Sequence, residues 1–244
     1  MKTIHESEST PKADGYRMPA EFEPQTRVWM AWPHRTDTWA WGAKPAQKQY
    51  AAVARAIAEF EPVTVCVNQA DYANAKAVFE DDENVTVVEM TTDDAWVRDT
   101  GATWVIDDKG GKRAVHWHFN AYGGFENGLY FPWDKDEQIA LKMAEMSGCR
   151  RYRPESLILE GGSIHVDGEG TVVTTDMCLL DPGRNASVTE HAAWSEELRE
   201  YMNGYLKDYL GVDKVIWVKD GIDPEETNGH IDDVACFVAP GKML

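Results

Sequence analysis

The order of strand and helix patterns along the chain predicts an α/β protein. Short apolar runs typical of buried strands alternate with longer stretches of helical period. Three turn signals that contain glycine join neighbouring strand patterns into hairpins. The order strand, helix, strand, hairpin recurs at coarse spacing, although we find no repeat of individual residues. We therefore expect repeated αββαβ-like units with strands inside and helices outside.

The N-terminal half contains the elements in their simplest order. Residues 1–16 are polar and are expected to form a loosely ordered tail, followed by one domain over residues 17–244. Pro45 begins a helix, because proline is favoured in a first helical turn, and Pro62 follows its end. The predicted elements are a strand at 29–33, a helix at 45–60, a strand at 63–67, a helix at 71–80 and a strand at 85–90.

The C-terminal half is divided by turns at residues 107–111, 167–170 and 239–241. The predicted elements are a hairpin of strands 103–106 and 113–119, a helix at 135–146, a hairpin of strands 163–166 and 171–175, a helix at 189–209, a strand at 215–218, and a hairpin of strands 233–238 and 242–244. We expect the last of these strands to be cut short where the sequence stops.

The charge balance restricts the partners of the chain. The 244 residues carry a formal net charge of −18, so phosphate would be repelled and nucleic-acid binding is not expected. This charge is compatible with attraction of a cationic ligand, although an acidic excess also serves solubility alone. No apolar run is long enough for a membrane span, and the N-terminus has no apolar signal core. We expect a cytoplasmic protein with no membrane partner, for which a homo-oligomer remains open.

The four cysteines are far apart in the sequence and form no C-x-x-C pair, so we expect neither a zinc site nor a redox framework. They are Cys66, Cys149, Cys178 and Cys236. Reduced thiols packed in the interior are the expected state of all four.

Three short motifs place ionisable side chains where a strand pattern meets a tight turn. They are Trp96-Val-Arg98-Asp99-Thr-Gly, Glu160-Gly-Gly and Asn228-Gly-His230-Ile-Asp232-Asp. In an extended segment, His230 and Asp232 would share a face and form an acid/base pair, with Ile231 pointing to the core. Three carboxylates and one histidine on separate turns predict a site for a small, flat cation.

Each motif also has a purely structural interpretation. Asp99 could pair with Arg98 or cap its turn, and Glu160 could be an ordinary loop glutamate. The third motif could be a hydrogen-bonded turn, or half of a metal site whose further ligands are not evident. Elsewhere, His116 and His118 have a spacing that is weakly typical of metal ligands but fits a polar strand face better, and His165 is interpreted as structural. Trp96 and Trp117 could line a pocket for an alkyl chain.

Together these motifs resemble the agmatine deiminase family of the guanidino-group-modifying superfamily. The resemblance extends from about Arg17 to the end of the chain and includes Asn127-Gly-Leu-Tyr-Phe-Pro-Trp133 and Leu180-Asp-Pro-Gly-Arg184-Asn185. It implies the five-bladed α/β propeller of that superfamily, of which about three modules would be present here. It also implies hydrolysis of agmatine to N-carbamoylputrescine and ammonia, and thus a role in putrescine and polyamine biosynthesis.

The resemblance assigns a role to each residue of the three motifs. Asp99 and Asp232 match the carboxylates that bind the guanidinium nitrogens, and Trp96 is assigned to substrate binding. Glu160 matches the glutamate that acts with the histidine, and His230 matches the general acid/base. Family enzymes need neither a metal nor an organic cofactor, so none is expected.

The nucleophile departs from the family pattern. The family places its cysteine in a Gly-Gly-Gly-Asn-Ile-His-Cys motif near the C-terminus, and no such motif occurs in these 244 residues. We therefore expect an N-terminal portion of a deiminase that has negligible activity alone. Two alternatives remain: a deiminase of arginine or peptidyl-arginine, for which Arg98 or Arg184 could bind the substrate carboxylate, and a non-catalytic fragment that binds guanidino cations or is completed by a partner chain.

Overall fold

A computed structural model describes residues 2–222, 224 and 226–244 of the chain. These residues form an α/β fold in which strands and helices alternate along the sequence. The strands are β1 (Thr3–His5), β2 (Val28–Ala31), β3 (Val63–Val67), β4 (Val85–Glu89), β5 (Thr103–Ile106), β6 (Lys112–Val115), β7 (Arg151–Arg153), β8 (His165–Val166), β9 (Thr171–Thr175), β10 (Lys214–Val218), β11 (Phe237–Ala239) and β12 (Lys242–Met243).

The helices range from single turns to four turns. They are α1 (Lys44–Ala58), α2 (Gln69–Val78), α3 (Val97–Thr100), α4 (Gly124–Asn127), α5 (Ile139–Met146), α6 (Asp176–Leu179), α7 (Asn185–Val188) and α8 (Glu196–Leu210). Short 3-10 turns lie at Ala40–Ala43, Asp136–Gln138, Gly161–Ser163 and Ile231–Asp233. Across the described parts of the chain, no helix has both the length and the apolar character needed to cross a membrane.

The chain divides into two compact units. That residues 17–244 form a single domain stays a prediction. The smaller comprises residues 24–97 and 134–136. Its sheet has the order β2-β3-β4, and all three strands are parallel. Parallel neighbours need crossover connections, which α1 and α2 provide. Every residue of β3 is buried, because the strand lies at the centre of the sheet.

The larger unit comprises residues 1–23, 98–133 and 137–244. It contains a mixed sheet of order β1-β7-β6-β5, a second of order β10-β9-β8, and the hairpin of β11 and β12. In the second sheet, β8 and β9 are antiparallel, whereas β9 and β10 are parallel and are joined through α8. Helix α8 begins at a Ser195 cap, whose hydroxyl accepts from the Leu198 N–H, and ends at Gly211 with a φ of 67°.

A large hydrophobic core cluster lies within the larger unit. The face of α8 that carries Leu198, Met202 and Leu206 is fully buried in it. The same core includes Leu157 and Leu159, which directly precede Glu160. The segment that carries this glutamate is therefore anchored by packed apolar neighbours.

The structure corrects several boundaries. Residues 1–16 contribute β1, which pairs in parallel with β7 from Thr3 to His5. The helix expected at 189–209 begins only at Glu196, because Ser195 provides the cap. Residues 97–100 form a helical turn and residues 231–233 a 3-10 turn, where extended backbone was expected. The α/β class and the first two predicted hairpins agree with the structure.

Candidate functional site

Asp99 lies in the helical turn α3, and both of its carboxylate oxygens accept hydrogen bonds. The backbone N–H of Gly162 donates to Oδ1 at 3.0 Å. The hydroxyl group of Tyr122 donates to Oδ2 at 2.7 Å. Because the two donors come from different segments, they fix the direction of the carboxylate. Its side chain keeps 10% of its surface exposed, so the group is accessible at one edge.

Glu160 is completely buried and pairs with Arg184, which is also completely buried. The Arg184 Nε donates to Oε1 at 3.0 Å and lies 3.3 Å from Oε2. The guanidinium also donates from Nη2 to the Thr227 carbonyl at 2.6 Å. Burial opposes ionisation of Glu160, but the charge of Arg184 and the contact with His230 together lower its pKa to about 2. Glu160 is therefore a carboxylate at neutral pH.

The His230 imidazole lies between the carboxylates of Asp99, Glu160 and Asp232. The residue comes just before the 3-10 turn that contains Asp232. Its side chain is 3% exposed, and Ile231 beside it is fully buried, which anchors the turn. Nδ1 lies 3.7 Å from Asp99 Oδ1 and 3.9 Å from Asp232 Oδ1. Nε2 lies 3.9 Å from Glu160 Oε2. The structure thus brings together the four ionisable residues of the three motifs.

Gly162 allows these side chains to pack directly against the backbone. A Cβ atom at this position would lie 2.5 Å from His230 Nδ1, 2.7 Å from Asp232 Oδ2 and 2.9 Å from Asp99 Oδ1. Three polar atoms thus face one point on the backbone, and any larger residue would displace them. The glycine is required by this close approach, because any side chain at this position would collide with these atoms.

Opposing effects set the protonation of the histidine. Burial would lower the pKa of His230, but contacts with Cys178 and Glu160 and the charge of Asp99 raise it to about 11. The pKa of Asp232 is raised, chiefly by burial and also by the neighbouring Asp99, against the effect of His230. With Glu160 and Arg184 both charged, the three acids exceed the two cations, so the site favours a further positive group.

Two contributors to this site were not assigned to it from the sequence. Tyr122 orients Asp99, and Cys178 lies beside Glu160, with its Sγ 3.9 Å from Oε2. Cys178 is fully buried in α6, as expected for a packed thiol, but its neighbours are polar. One ligand atom from each of Glu160, Cys178 and His230 lies within 4.8 Å of the other two. That the protein needs no metal stays a prediction.

The remaining candidates lie elsewhere. Trp96 belongs to the smaller unit, where it stacks on Trp39 at 5.1 Å and donates to Asp94 at 3.1 Å. Its assignment to substrate binding stays a prediction.

The other candidate histidines of the larger unit have polar partners. His116 Nε2 contacts the Glu137 carbonyl at 2.7 Å, and His118 Nδ1 lies 3.2 Å from the Glu137 carboxylate. His165 is buried and contacts Glu21 at 3.2 Å, in keeping with a structural role. Trp117 is buried in the core and donates to Thr103 at 2.9 Å.

Residues 17–244 match the sequence profile of the Porphyromonas-type peptidyl-arginine deiminases. The chain belongs to this family. The match includes all three motifs, so the residues that meet at Gly162 lie within the family's common region. The resemblance stated from the motifs is thereby confirmed at the level of the family.

Members of this deiminase family include proteins named agmatine deiminase. The one from Pseudomonas aeruginosa strain UCBPP-PA14 is 56% identical over 236 residues, which cover 97% of this chain and 61% of the relative. The one from Pseudomonas fluorescens strain Pf-5 is 53% identical, over 100% of this chain and 63% of the relative. A solved structure of agmatine deiminase from Enterococcus faecalis has a TM-score of 0.92 at 51% identity, over 100% of this chain and 63% of that one. The chain therefore spans less than two thirds of these relatives.

Proposed function

We propose that the protein deiminates agmatine to N-carbamoylputrescine and ammonia. The observation that supports this most directly is that side-chain atoms of Asp99, Asp232 and His230 come together beside Gly162. A guanidinium ion is flat and positive and carries N–H donors in its plane. Two carboxylates that face one point can accept paired, charge-assisted hydrogen bonds from it.

The charges of the site favour a cationic ligand over an anionic one. Arg184 is fully buried and paired with Glu160, and Arg98 is paired with Glu21, although it also lies 4.0 Å from Asp232. Neither arginine is left as a separate cation for a substrate carboxylate. A ligand with a guanidinium group and no carboxylate therefore fits better than arginine does. The names of the similar proteins support the same choice.

The proposed chemistry is covalent and uses a thiolate. The thiolate attacks the guanidinium carbon, and the C–N bond to one terminal nitrogen breaks as His230 protonates the departing ammonia. A water molecule, deprotonated by His230, then attacks the same carbon. The C–S bond breaks, the ureido product leaves and the thiolate is restored, so that one water is consumed and one ammonia released. Glu160 stays ionised throughout and stabilises the protonated imidazole.

None of the four cysteines in the chain has the sequence context of the family nucleophile. Cys178 lies on the Nε2 side of His230 with Glu160, whereas Asp99 and Asp232 lie on the Nδ1 side. We therefore expect the 244-residue chain to bind agmatine weakly and to turn it over negligibly. We also propose that the whole protein is a cytoplasmic enzyme of putrescine biosynthesis built as an α/β propeller.

Agmatine binding to the purified chain, measured by calorimetry, tests the proposal. Loss of one charge-assisted contact in Asp232→Asn should weaken binding about 10- to 100-fold. Asp233→Asn is the matched control, since it removes the same charge from the adjacent, exposed position. Arginine should bind more weakly than agmatine.

Equal weakening by the two substitutions would mean that only general charge matters and would contradict the assigned site. Ammonia release provides a second measurement. Steady turnover by the 244-residue chain would show that one of its own cysteines is the nucleophile. Binding without turnover would agree with the proposal and also with the non-catalytic alternative. An ammonia-release assay of the whole protein would distinguish these two explanations.

A further inference from the structure

Cys178, Glu160 and His230 form a buried cluster with three kinds of ligand atom. The thiol sulphur lies 3.9 Å from Glu160 Oε2, and the same oxygen lies 3.9 Å from His230 Nε2. All three side chains are at least 97% buried, and one ligand atom from each lies within 4.8 Å of the other two. Sulphur, imidazole nitrogen and carboxylate oxygen are the ligands that zinc prefers in proteins.

His230 Nε2 provides an independent indication of a ligand. It has no hydrogen-bond partner, although the residue is 98% buried and the nitrogen points toward the other two groups. A buried polar atom without a partner is costly, and most such atoms in folded proteins have a partner. An ion between the three groups would satisfy it.

The dimensions of the cluster fit a zinc ion. A triangle with sides between 3.9 Å and 4.8 Å has its centre about 2.3 to 2.5 Å from each corner. Zinc bonds are about 2.3 Å to sulphur and about 2.0 to 2.2 Å to nitrogen or oxygen, so contraction by a few tenths of an ångström suffices. A fourth position would remain for water.

We propose that Cys178, Glu160 and His230 form a binding site for Zn²⁺. Binding releases two protons, one from the thiol and one from the imidazolium, so that both become ligands. The charge of Arg184 on Glu160 opposes the ion, but the thiolate and the carboxylates of Asp99 and Asp232 outweigh it. Since the ligands are buried, the His230 ring must turn aside as the ion enters.

The occupied site would be an inhibited one, a consequence that rests on the proposed function. The ion would bind the imidazole nitrogen and the Glu160 carboxylate. It would also place two positive charges near Asp99 and Asp232, which should bind a guanidinium. Zn²⁺ and agmatine should therefore exclude one another, although they use different atoms.

Titration of the reduced, metal-free 244-residue chain with Co²⁺ tests the site, because cobalt reports its ligands by colour. We expect one equivalent to bind with a near-ultraviolet thiolate-to-cobalt absorption, and Zn²⁺ to abolish that absorption. Cys178→Ser should remove the absorption and weaken binding at least about 100-fold, more than the loss of an outer-shell contact does. Cys149→Ser, which alters a thiol outside the cluster, is the matched control and should change neither.

The wild-type chain alone can overturn the proposal, if millimolar Co²⁺ produces no thiolate absorption. An unchanged absorption in Cys178→Ser would also overturn it. If that variant does not fold, His230→Gln replaces the ring ligand and should weaken Co²⁺ binding while the thiolate absorption persists. Competition between Co²⁺ and agmatine separates the two proposals. Cobalt binding that agmatine does not weaken would support the metal site and contradict the inhibition. Agmatine binding without any cobalt absorption would support the proposed function and contradict the metal site.

Discussion

Substitution of Gly162 by alanine is the most direct test of the geometry. The added Cβ would lie 2.5 Å from His230 Nδ1 and 2.7 and 2.9 Å from the carboxylate oxygens of Asp232 and Asp99. An ordinary contact begins near 3.4 Å, so each group must retreat by about 0.5 to 0.9 Å. All three move away from the glycine, and two of them are the carboxylates that are expected to bind the guanidinium.

The size of the effect follows from these displacements. A misplacement of about 1 Å in a positioned site costs on the order of 100-fold. We expect agmatine binding to weaken about 30- to 100-fold, as measured by calorimetry. The free energy of unfolding should change less than the free energy of agmatine binding. Overpacking destabilises by about 1 to 3 kcal/mol, but the reduced flexibility of alanine in the unfolded chain stabilises by about 0.4 to 1 kcal/mol.

Gly204→Ala is the matched control. Gly204 lies inside α8, and a Cβ there would meet no atom within 4 Å. This variant should gain about 1 kcal/mol in the free energy of unfolding and bind agmatine as the unaltered chain does. If Gly162→Ala also binds agmatine within about threefold of the unaltered chain, the ligand does not sit against this glycine and the assigned site is wrong.

Three further predictions concern charge and packing. Glu160→Gln removes the carboxylate 3.0 Å from the buried Arg184 and leaves it with the more distant Asp181 at 4.0 Å, so urea denaturation should show a loss of about 3 to 5 kcal/mol; a loss below about 1 kcal/mol would contradict the pairing. His230 has a pKa raised to about 11 and must stay protonated in the complex to act as the acid, so agmatine affinity should change little between about pH 7 and 9 and calorimetry in buffers of different ionisation enthalpy should show no proton release; release of a full proton would contradict this. Asp94→Ala removes the acceptor of the Trp39 and Trp96 indole N–H groups, so unfolding should become easier by about 1 to 3 kcal/mol and the tryptophan emission should change; an unaltered emission would argue against these bonds.

The sequence predicts the elements that local patterns define. Val63–Val67 is rich in β-branched residues, with three valines and one threonine, and it is the buried central strand of the smaller unit. Hairpins follow from their glycine turns. A single turn such as α3 is too short to show a helical period, and a capping serine such as Ser195 is one of several candidates in its segment. These boundaries depend on tertiary contacts that no short window contains.

The same distinction applies to the site. Its acids and its histidine stand out because charged residues beside glycines interrupt apolar runs. Cys178 does not stand out, since its neighbours in the sequence are apolar and its polar neighbours are distant in sequence. Tyr122 contacts Asp99 across 23 positions, and Arg184 meets Glu160 across 24. Such pairs are visible only after folding, because either partner alone has an ordinary sequence context.

The buried arginine explains how distant motifs hold one geometry. Arg184 donates to Glu160 and also to the Thr227 carbonyl, just before the segment that carries His230. Thr175, from the strand that leads to Cys178, donates to the Gly229 carbonyl at 2.7 Å. The backbone around the histidine is thus fixed by side chains of the core, independently of any ligand. A pair of buried charges contributes little net stability, so its physical effect here is positional: it keeps Glu160 ionised beside His230, and holds the histidine toward the two acids that face the open side.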